Sequence, residues 1–215
     1  MKRLHEALAS EYRKRKTEIK KRLKEFSFLH KGEDREIFSE LCFCILTANA
    51  NALSCNEAIK ELKGTRLLFE GCADAIKPKL KGRARFHNKK AEFIVAARNL
   101  FTRSRRIKIK DRLNVNDIIA TRDWLVWNIK GYGYKEASHF LRNIGLGKDI
   151  AILDRHILKN LKKYGVIGNV PPSVGSRKAY LDIEEKMRNF SKEIGIPLPD
   201  LDLLLWSLET GFVFK

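Results

Sequence analysis

Apolar residues recur at helical spacing along most of the chain. Four stretches place apolar side chains three and four positions apart, which is the period of one helix face. These are Phe38, Leu41, Cys42, Ile45 and Leu46; Phe93, Ile94, Ala97 and Leu100; Leu125, Val126 and Ile129; and Tyr180, Ile183, Met187 and Phe190. Strand-like alternation is almost absent, and the prolines (Pro78, Pro171, Pro172, Pro197 and Pro199) stand between the helical stretches. The pattern predicts an all-α fold.

A basic amphipathic helix is predicted from His5 to about Phe28. Its Lys/Arg runs, 13–16 and 20–22, could contact DNA or could form a solvated helix face. The solvated face is the preferred interpretation, because runs of charge usually lie toward water.

Charge changes this picture more than composition does. The chain has 215 residues, with 44 Lys plus Arg against 26 Asp plus Glu and a net charge of +18. Hydrophobic residues make up 44%, which argues against disorder, and the length suits one domain or two small ones. An excess of this size favours binding to a polyanion such as nucleic acid, although a basic solvated surface is the alternative.

Several classes of protein are excluded at this point. The apolar runs 41–46 and 203–206 are far too short to span a membrane, and the first residues are charged rather than signal-like. Cys42, Cys44, Cys55 and Cys72 form no Cys-x-x-Cys pair, so we expect reduced thiols. These observations predict a cytoplasmic protein that is associated with the nucleoid through DNA and not with a membrane.

The most informative segment is a glycine hairpin between two predicted helices. An apolar helix ends near Ile129, Gly131-Tyr132-Gly133 follows, and an amphipathic helix begins after it. Glycines allow a tight turn with positive φ, and the free amides that open the second helix attract anions. The hairpin, with Lys130 beside it, therefore predicts a phosphate clamp; an ordinary helix-helix turn is the alternative.

The run 129–143 resembles the helix-hairpin-helix of the base-excision DNA glycosylase superfamily. It is most similar to the archaeal-type 8-oxoguanine DNA glycosylases, the second family of such enzymes. The segments 41–49, 151–156 and 201–206 match that family in the same order, so the resemblance covers nearly the whole chain.

The resemblance implies two catalytic residues. Lys135 matches the family's Schiff-base lysine, which attacks the anomeric carbon of the sugar and permits strand cleavage by β-elimination. Its position in the first turn of a helix favours the neutral amine, although burial must add the larger share. Asp154 matches the family's essential aspartate, which stabilises a cationic sugar, and its position before a helix also predicts an N-cap.

Further residues are assigned to DNA contact by the same resemblance. His156 could donate to a phosphate, and Asn49 stands where glycosylases keep an amide that fills the space vacated by the extruded base. An ordinary helix C-cap is the alternative for Asn49, and a surface histidine for His156. Arg85, Phe86 and His87 resemble the loop that faces the orphaned base.

Four residues are predicted to form the base pocket. Asp202 and Trp206 are one helical turn apart, so the tryptophan could stack on a purine while the carboxylate accepts from its N–H groups. A core tryptophan is the alternative. His139 stands one turn beyond Lys135, and the family's chain ends in a lysine near the pocket, as Lys215 does here.

No cofactor is expected. No cysteine follows Cys72, so the iron–sulfur cluster of relatives such as endonuclease III is not predicted, and the five histidines show no zinc spacing. Hairpin carbonyls in this superfamily often hold a monovalent cation, so we expect Na⁺ or K⁺ at the Lys130–Gly133 turn.

Together these observations predict an all-α protein of two helical lobes with a DNA-binding cleft between them. Residues 33–127 would form one lobe, and 1–32 with 128–215 the helix-hairpin-helix lobe. The predicted function is a bifunctional glycosylase and lyase that acts, as a monomer, on 8-oxoguanine in duplex DNA. The alternatives are a monofunctional glycosylase for another damaged base and a non-catalytic DNA-binding protein.

Overall fold

The protein is described by a computed structural model covering residues 2–215; Met1, which the second predicted lobe includes, lies outside the described residues. The described chain is predominantly helical, as predicted. The helices are α1 Lys2–Leu29, α2 Asp34–Thr47, α3 Ala52–Gly64, α4 Leu67–Glu70, α5 Ala73–Leu80, α6 His87–Phe101, α7 Ile118–Asn128, α8 Tyr134–Asn143, α9 Arg155–Lys163, α10 Arg177–Glu193 and α11 Leu198–Thr210, with a 3₁₀ turn at Lys110–Arg112.

Helix α2 is the centre of the first apolar core. It packs against α3, α6 and α8, and every residue from Ile37 to Thr47 is buried. The sequence pattern predicted only one apolar face, but helices surround α2 on several sides. Even Glu40 is only 7% exposed, so its carboxylate requires partners inside the protein.

Two apolar cores organise the molecule. The first contains α2, α3, α5 and α6 with Ala137, Phe140 and Leu141 of α8, and the second joins α1, α9, α10 and α11 with Tyr134 of α8. Helix α8 thus contacts both cores and carries the candidate lysine between them. The division of the chain at residues 33–127 stays a prediction.

A buried ion pair fixes the segment that leads to α9. Arg122 of α7 donates to both carboxylate oxygens of Glu184 on α10, at 2.6 and 3.0 Å. The same carboxylate accepts from the backbone N–H of Ala151, while the Tyr180 hydroxyl accepts from Leu153 N and donates to Ala151 O. The backbone immediately before Asp154 is therefore held on both sides.

Some details differ from the sequence pattern. Thr102–Arg103 and Arg106–Ile107 form a two-stranded antiparallel hairpin whose turn residues, Ser104 and Arg105, both have positive φ. Neither turn residue is a glycine or an asparagine, so no sequence signal marked this turn. Pro78 lies inside α5 and Pro199 in the first turn of α11, rather than between helices. In α6, the predicted face is buried at Ile94 and Ala97, but Leu100 is exposed and Phe101 is buried in its place.

Helix α1 braces the second core and leaves its basic residues toward water. Leu8, Ile19 and Phe26 are buried, and Tyr12 and Lys20 both donate to the buried Asp200 of α11. Most of the Lys/Arg runs at 13–16 and 20–22 are exposed, in agreement with a solvated face. Within residues 2–215, no helix combines the length and apolarity needed to cross a bilayer.

Candidate active site and DNA interface

A cleft of about 720 Å³ lies between the end of α2 and the first turns of α8 and α9. Most of the predicted site residues line it: Lys135, Asp154, His139, Asp202, Trp206, Lys215, Gly133, His156, Asn49 and Arg85. Lys130, Gly131, Phe86 and His87 are not among its lining residues. The cleft therefore brings together residues that are up to 166 positions apart in the chain, from Asn49 to Lys215.

The hairpin is built on one strained glycine rather than two. Gly131 has φ +82°, and a Cβ there would lie 2.6 Å from the Phe93 ring of α6. Gly133 has φ −108° and is the N-cap of α8, with its N–H donating to the Glu136 side chain at 3.2 Å. The expectation of positive φ at both glycines was wrong for Gly133. Its missing side chain instead leaves the cleft wall open, because a Cβ would contact only Glu136 at 3.4 Å.

Lys135 stands in the first turn of α8 and opens onto the cleft. Its side chain is 21% exposed, and its ammonium lies 3.7 Å from the Glu136 carboxylate. The backbone N–H groups at the start of α8 face the same region, where the helix dipole favours a phosphate. The lysine thus lies beside a site suited to the DNA backbone.

Asp154 is the N-cap of α9, as its sequence position predicted. Its Oδ1 accepts from the backbone N–H groups of His156 and Ile157, at 2.8 and 2.9 Å. Its Oδ2 accepts no hydrogen bond among the described residues and remains available at the cleft. The capping role therefore orients the carboxylate without occupying both oxygens.

Two buried ionisable side chains line the deeper part of the cleft. Burial, together with the charges of Lys135 and Arg142, holds the pKa of His139 well below its usual range, so its imidazole is neutral. Neither His139 ring nitrogen has a hydrogen-bond partner in the described part of the chain. Burial also raises the pKa of Asp202 to about 6, although Arg142 opposes this shift.

Arg142 and Asp202 form an incomplete pair. Their nearest charged atoms are 3.4 Å apart, and Asp202 Oδ1 has no partner among the described residues. A buried carboxylate that lacks a full set of partners is costly, and this one belongs to the lining of the cleft.

Trp206 and Lys215 complete the wall on the side of α11. Trp206 is partly buried and packs edge-on against Phe212 at 5.5 Å, which leaves a share of the indole in the cleft. The Lys215 ammonium donates to Glu40 Oε2 at 2.9 Å and lies 4.1 Å from the centre of the Phe43 ring. The lysine side chain is therefore anchored on α2, which fixes the backbone of Lys215 at the cleft.

The rim of the cleft carries exposed residues from two loops. Asn49 follows α2, and Phe86 precedes α6; both are exposed and both have positive φ, at 54° and 59°. The Arg85 guanidinium lies 4.9 Å from the centre of the Phe86 ring. His87 begins α6 and is partly exposed.

Sequence reasoning missed Arg142, Glu40 and Lys90. Arg142 stands seven positions after Lys135, on the same helix face as His139, and this spacing was a usable signal. Glu40 gave no signal, because its partners Asn143 and Lys215 are 103 and 175 positions away. Lys90 donates to the end of α2, 44 positions away, so no local pattern marked it.

Within residues 2–215, no group of three or more His, Cys, Asp or Glu side chains is placed to hold a metal ion. Cys42, Cys44 and Cys55 are buried free thiols, whereas Cys72 is an exposed one. Burial raises the pKa of Cys55 to about 11, so this thiol is protonated at neutral pH.

A helix-hairpin-helix beside a cleft that holds a lysine and an aspartate, in an otherwise helical chain, defines the class of helix-hairpin-helix DNA glycosylases. The model of the 8-oxoguanine DNA glycosylase family matches residues 19–196. The chain belongs to this family.

Relatives and a solved structure agree with that assignment. The chain is 44% identical over 206 residues to an 8-oxoguanine DNA glycosylase/AP lyase of Fusobacterium nucleatum, covering 95% of this chain and 94% of that protein. It is 43% identical over 198 residues to the enzyme so named from Methanocaldococcus jannaschii, covering 92% and 91%. The crystal structure of the M. jannaschii 8-oxoguanine glycosylase/lyase with a 15mer DNA containing 8-oxoguanine matches with a TM-score of 0.88 and 39% identity, covering 99% of each chain.

Proposed function

We propose that this protein removes 8-oxoguanine from duplex DNA and then cleaves the strand at the resulting abasic site, with Lys135 as the nucleophile. The observation that carries this proposal is the position of Lys135 at the start of α8, facing the same cleft as the free Oδ2 of Asp154. The names and titles of the relatives support 8-oxoguanine as the substrate.

The cleft residues divide the reaction between them. Once Lys135 has given up its proton, its amine attacks the anomeric carbon, and the electron pair of the base–sugar bond leaves with the base, which takes up a proton. Positive charge develops on the sugar, and the Asp154 carboxylate stabilises it. Loss of a proton and ring opening give a Schiff base, and removal of the adjacent sugar proton then expels the 3′ phosphate.

The base must leave the duplex before this attack, since the stack shields the base–sugar bond. We assign the extruded base to the pocket that Trp206, Asp202 and His139 form. Lys215 also lines this pocket. The indole offers a stacking face, the Asp202 carboxylate accepts from base N–H groups, and the neutral imidazole of His139 offers one donor and one acceptor. The position of all four residues in the lining of one cleft supports this assignment.

The DNA backbone is assigned to the hairpin and its surroundings. The α8 amides beside Gly133 would hold a phosphate, with Lys130 and His156 as further donors and Gly131 shaping the turn. Asn49 would fill the vacated space, while Arg85, Phe86 and His87 face the orphaned base. Because one chain supplies every residue of the cleft, we propose that a monomer suffices.

A monovalent cation fits the hairpin turn. The carbonyls of Lys130, Gly131 and Tyr132 accept no hydrogen bond from the described residues, whereas the Gly133 carbonyl accepts from Ala137 N. Carbonyl oxygens are suitable ligands for Na⁺ or K⁺. When bound, the cation would add positive charge beside the phosphate, and the three carbonyls would hold it.

Borohydride trapping on duplex DNA that contains 8-oxoguanine tests the proposed nucleophile. Reduction of the Schiff base should leave a covalent protein–DNA adduct with the unmodified protein and none with Lys135→Gln. Lys21→Gln, which makes the same chemical change at an exposed position of α1, is the control and should still form the adduct.

The outcomes separate the proposed function from its alternatives. Base release that appears only after alkali treatment, without an adduct, would indicate a monofunctional glycosylase. Binding without base release from any lesion would indicate a non-catalytic protein. An undiminished adduct with Lys135→Gln would show that another amine is the nucleophile.

A further inference from the structure

Two exposed side chains at the rim of the cleft are held in a backbone conformation that non-glycine residues rarely adopt. Asn49 has φ 54° and Phe86 has φ 59°. Asparagine tolerates this left-handed region, but a bulky phenylalanine is an outlier there. Strained residues persist where the surrounding structure determines them, and they concentrate at functional sites.

Lys90 connects these two residues. Its ammonium donates to the carbonyl of Ala48, directly before Asn49, at 2.6 Å, and to the carbonyl of Leu46 at 2.7 Å. Its backbone N–H donates to the carbonyl of Phe86 itself at 3.1 Å. One residue therefore joins the turn that carries Asn49 to the turn that carries Phe86.

The burial of Lys90 and the partners of its ammonium indicate that its charge serves to join the two turns. The residue is 4% exposed, and burial lowers the pKa of its ammonium. A buried ammonium is costly without partners, and here both of its hydrogen bonds end on carbonyls at the end of α2. The end of a helix leaves such carbonyls without helical partners and favours a cation. A methionine would satisfy packing alone but would leave the Ala48 carbonyl unpaired and the Leu46 carbonyl with only the Cys55 thiol as donor.

A second contact joins the end of α2 to the loop before α6. The Cys55 thiol of α3 donates to Leu46 O at 3.2 Å and lies 3.9 Å from Arg83 O, in the loop that leads to Phe86. The end of α2 and the loop before α6 are thus tied together at two points.

We propose that Lys90 is a positioning residue for base extrusion, fixing Asn49 and Phe86 at the separation that one disrupted base pair requires. This inference rests on the proposed function, which assigns Asn49 to the vacated space and Phe86 to the orphaned base. Both side chains must act at the same base pair, so a shift of one relative to the other disturbs extrusion. Attack at an already exposed sugar needs neither side chain.

Two duplexes of one sequence test this separation of roles: one carries 8-oxoguanine opposite cytosine, and the other carries a preformed abasic site. Lys90→Met should slow single-turnover base excision roughly 10- to 100-fold, the scale of a misplacement of about 1 Å. Cleavage of the abasic duplex should remain unchanged. Fluorescence of a 2-aminopurine beside the lesion should show a matching loss of extrusion.

The neighbouring residue offers a matched control. Lys89 is also in the first turn of α6, but its side chain is 72% exposed and reaches only Glu92, at 3.4 Å. Lys89→Met makes the same chemical change without breaking the connection, so it should leave both reactions and the fluorescence change intact. Lys90→Arg, which keeps a cation and its donors, should recover most of the lost excision.

Several outcomes would overturn the proposal. If Lys90→Met loses activity equally on both duplexes, the substitution has damaged the fold in general. If it keeps full activity on both duplexes, Lys90 is not needed for extrusion. If Lys90→Met melts too low for assay, Lys90→Gln takes its place with the same criteria. A further loss when Lys90→Met is added to Asn49→Ala with Phe86→Ala would also contradict it, because Lys90 should act only through those residues. If the unmodified protein releases no 8-oxoguanine, the proposed function fails, and this inference with it.

Discussion

Asp202 is a buried carboxyl whose ionisation falls within the range in which the protein can be assayed. Burial raises its pKa to about 6, so the group is largely ionised at pH 7 and protonated below pH 6. A protonated carboxyl has lost part of its capacity to accept hydrogen bonds from the base. Single-turnover base excision should therefore fall as the pH decreases through about 6, measured as a pH–rate profile.

One isosteric substitution tests whether Asp202 causes this fall in excision rate at low pH. Asp202→Asn should slow excision at pH 7 and lose the decline near pH 6, because no group at this position then titrates. Cleavage of a preformed abasic site needs no base pocket and should lack the decline in both proteins. An acid limb that persists in Asp202→Asn would show that a different group is titrating.

Helix α8 and its hairpin are the element on which the site depends. Gly131 has φ +82°, and a Cβ there would lie 2.6 Å from the ring of Phe93, which packs against the first core. Gly131→Ala should therefore combine a conformational cost of about 1–2 kcal/mol with an overpacking cost of about 1–3 kcal/mol. Urea unfolding should measure the sum.

Gly82 provides a control position that carries the conformational cost but not the overpacking cost. It has a similar φ, +76°, but no atom lies within 4 Å of the position of its Cβ. Gly82→Ala should lower the free energy of unfolding by the conformational cost alone. In the double variant, Phe93→Ala with Gly131→Ala, the overpacking cost should disappear. Equal losses for Gly131→Ala and Gly82→Ala would mean that the Phe93 ring moves aside freely.

The elements show which parts of the site were predictable. Lys135 and Asp154 were assigned by resemblance to a family, whereas helical spacing pointed to Asp202 with Trp206 and to His139 one turn beyond Lys135. The structure brings all of these residues to one cleft. The tertiary contacts that support them were not found. Glu40 joins α2 to α8 and Lys215, and Lys90 joins α6 to the end of α2, across separations that carry no periodic signal.

The same limit applies to burial and backbone strain. The pattern of α2 indicated one apolar face, but its surroundings in the fold bury every side from Ile37 to Thr47. The positive φ of Phe86 and of the Ser104–Arg105 turn arises from the contacts around them rather than from residue preference. The fold class follows from local pattern, and the candidate catalytic pair came from a family resemblance, whereas the contacts that join the two apolar cores depend on the assembled chain.

The net charge of +18 belongs to the whole molecule, but its residues do not contribute alike. Many cations are paired with nearby carboxylates, such as Lys159 with Glu209 at 2.7 Å and Arg177 with Asp123 at 3.1 Å. Pairs of this kind attract DNA weakly. Lys130, in contrast, is exposed at the hairpin, and Lys21 is exposed on the solvated face of α1. Both add to the long-range field, but only Lys130 is assigned to a phosphate.

Salt dependence of DNA binding distinguishes these two positions. Each phosphate contact releases counterions and steepens the fall of log affinity with log salt by about 0.9. Lys130→Ala should therefore weaken binding equally for damaged and undamaged duplexes and reduce the slope by about one.

Lys21→Ala, the matched control, should leave the slope unchanged, because removing a distant charge alters only steering. Fluorescence anisotropy across a salt series gives both slopes. Equal slope changes for the two variants would mean that DNA also covers α1, and that the charge of the whole surface, rather than the hairpin, holds the duplex.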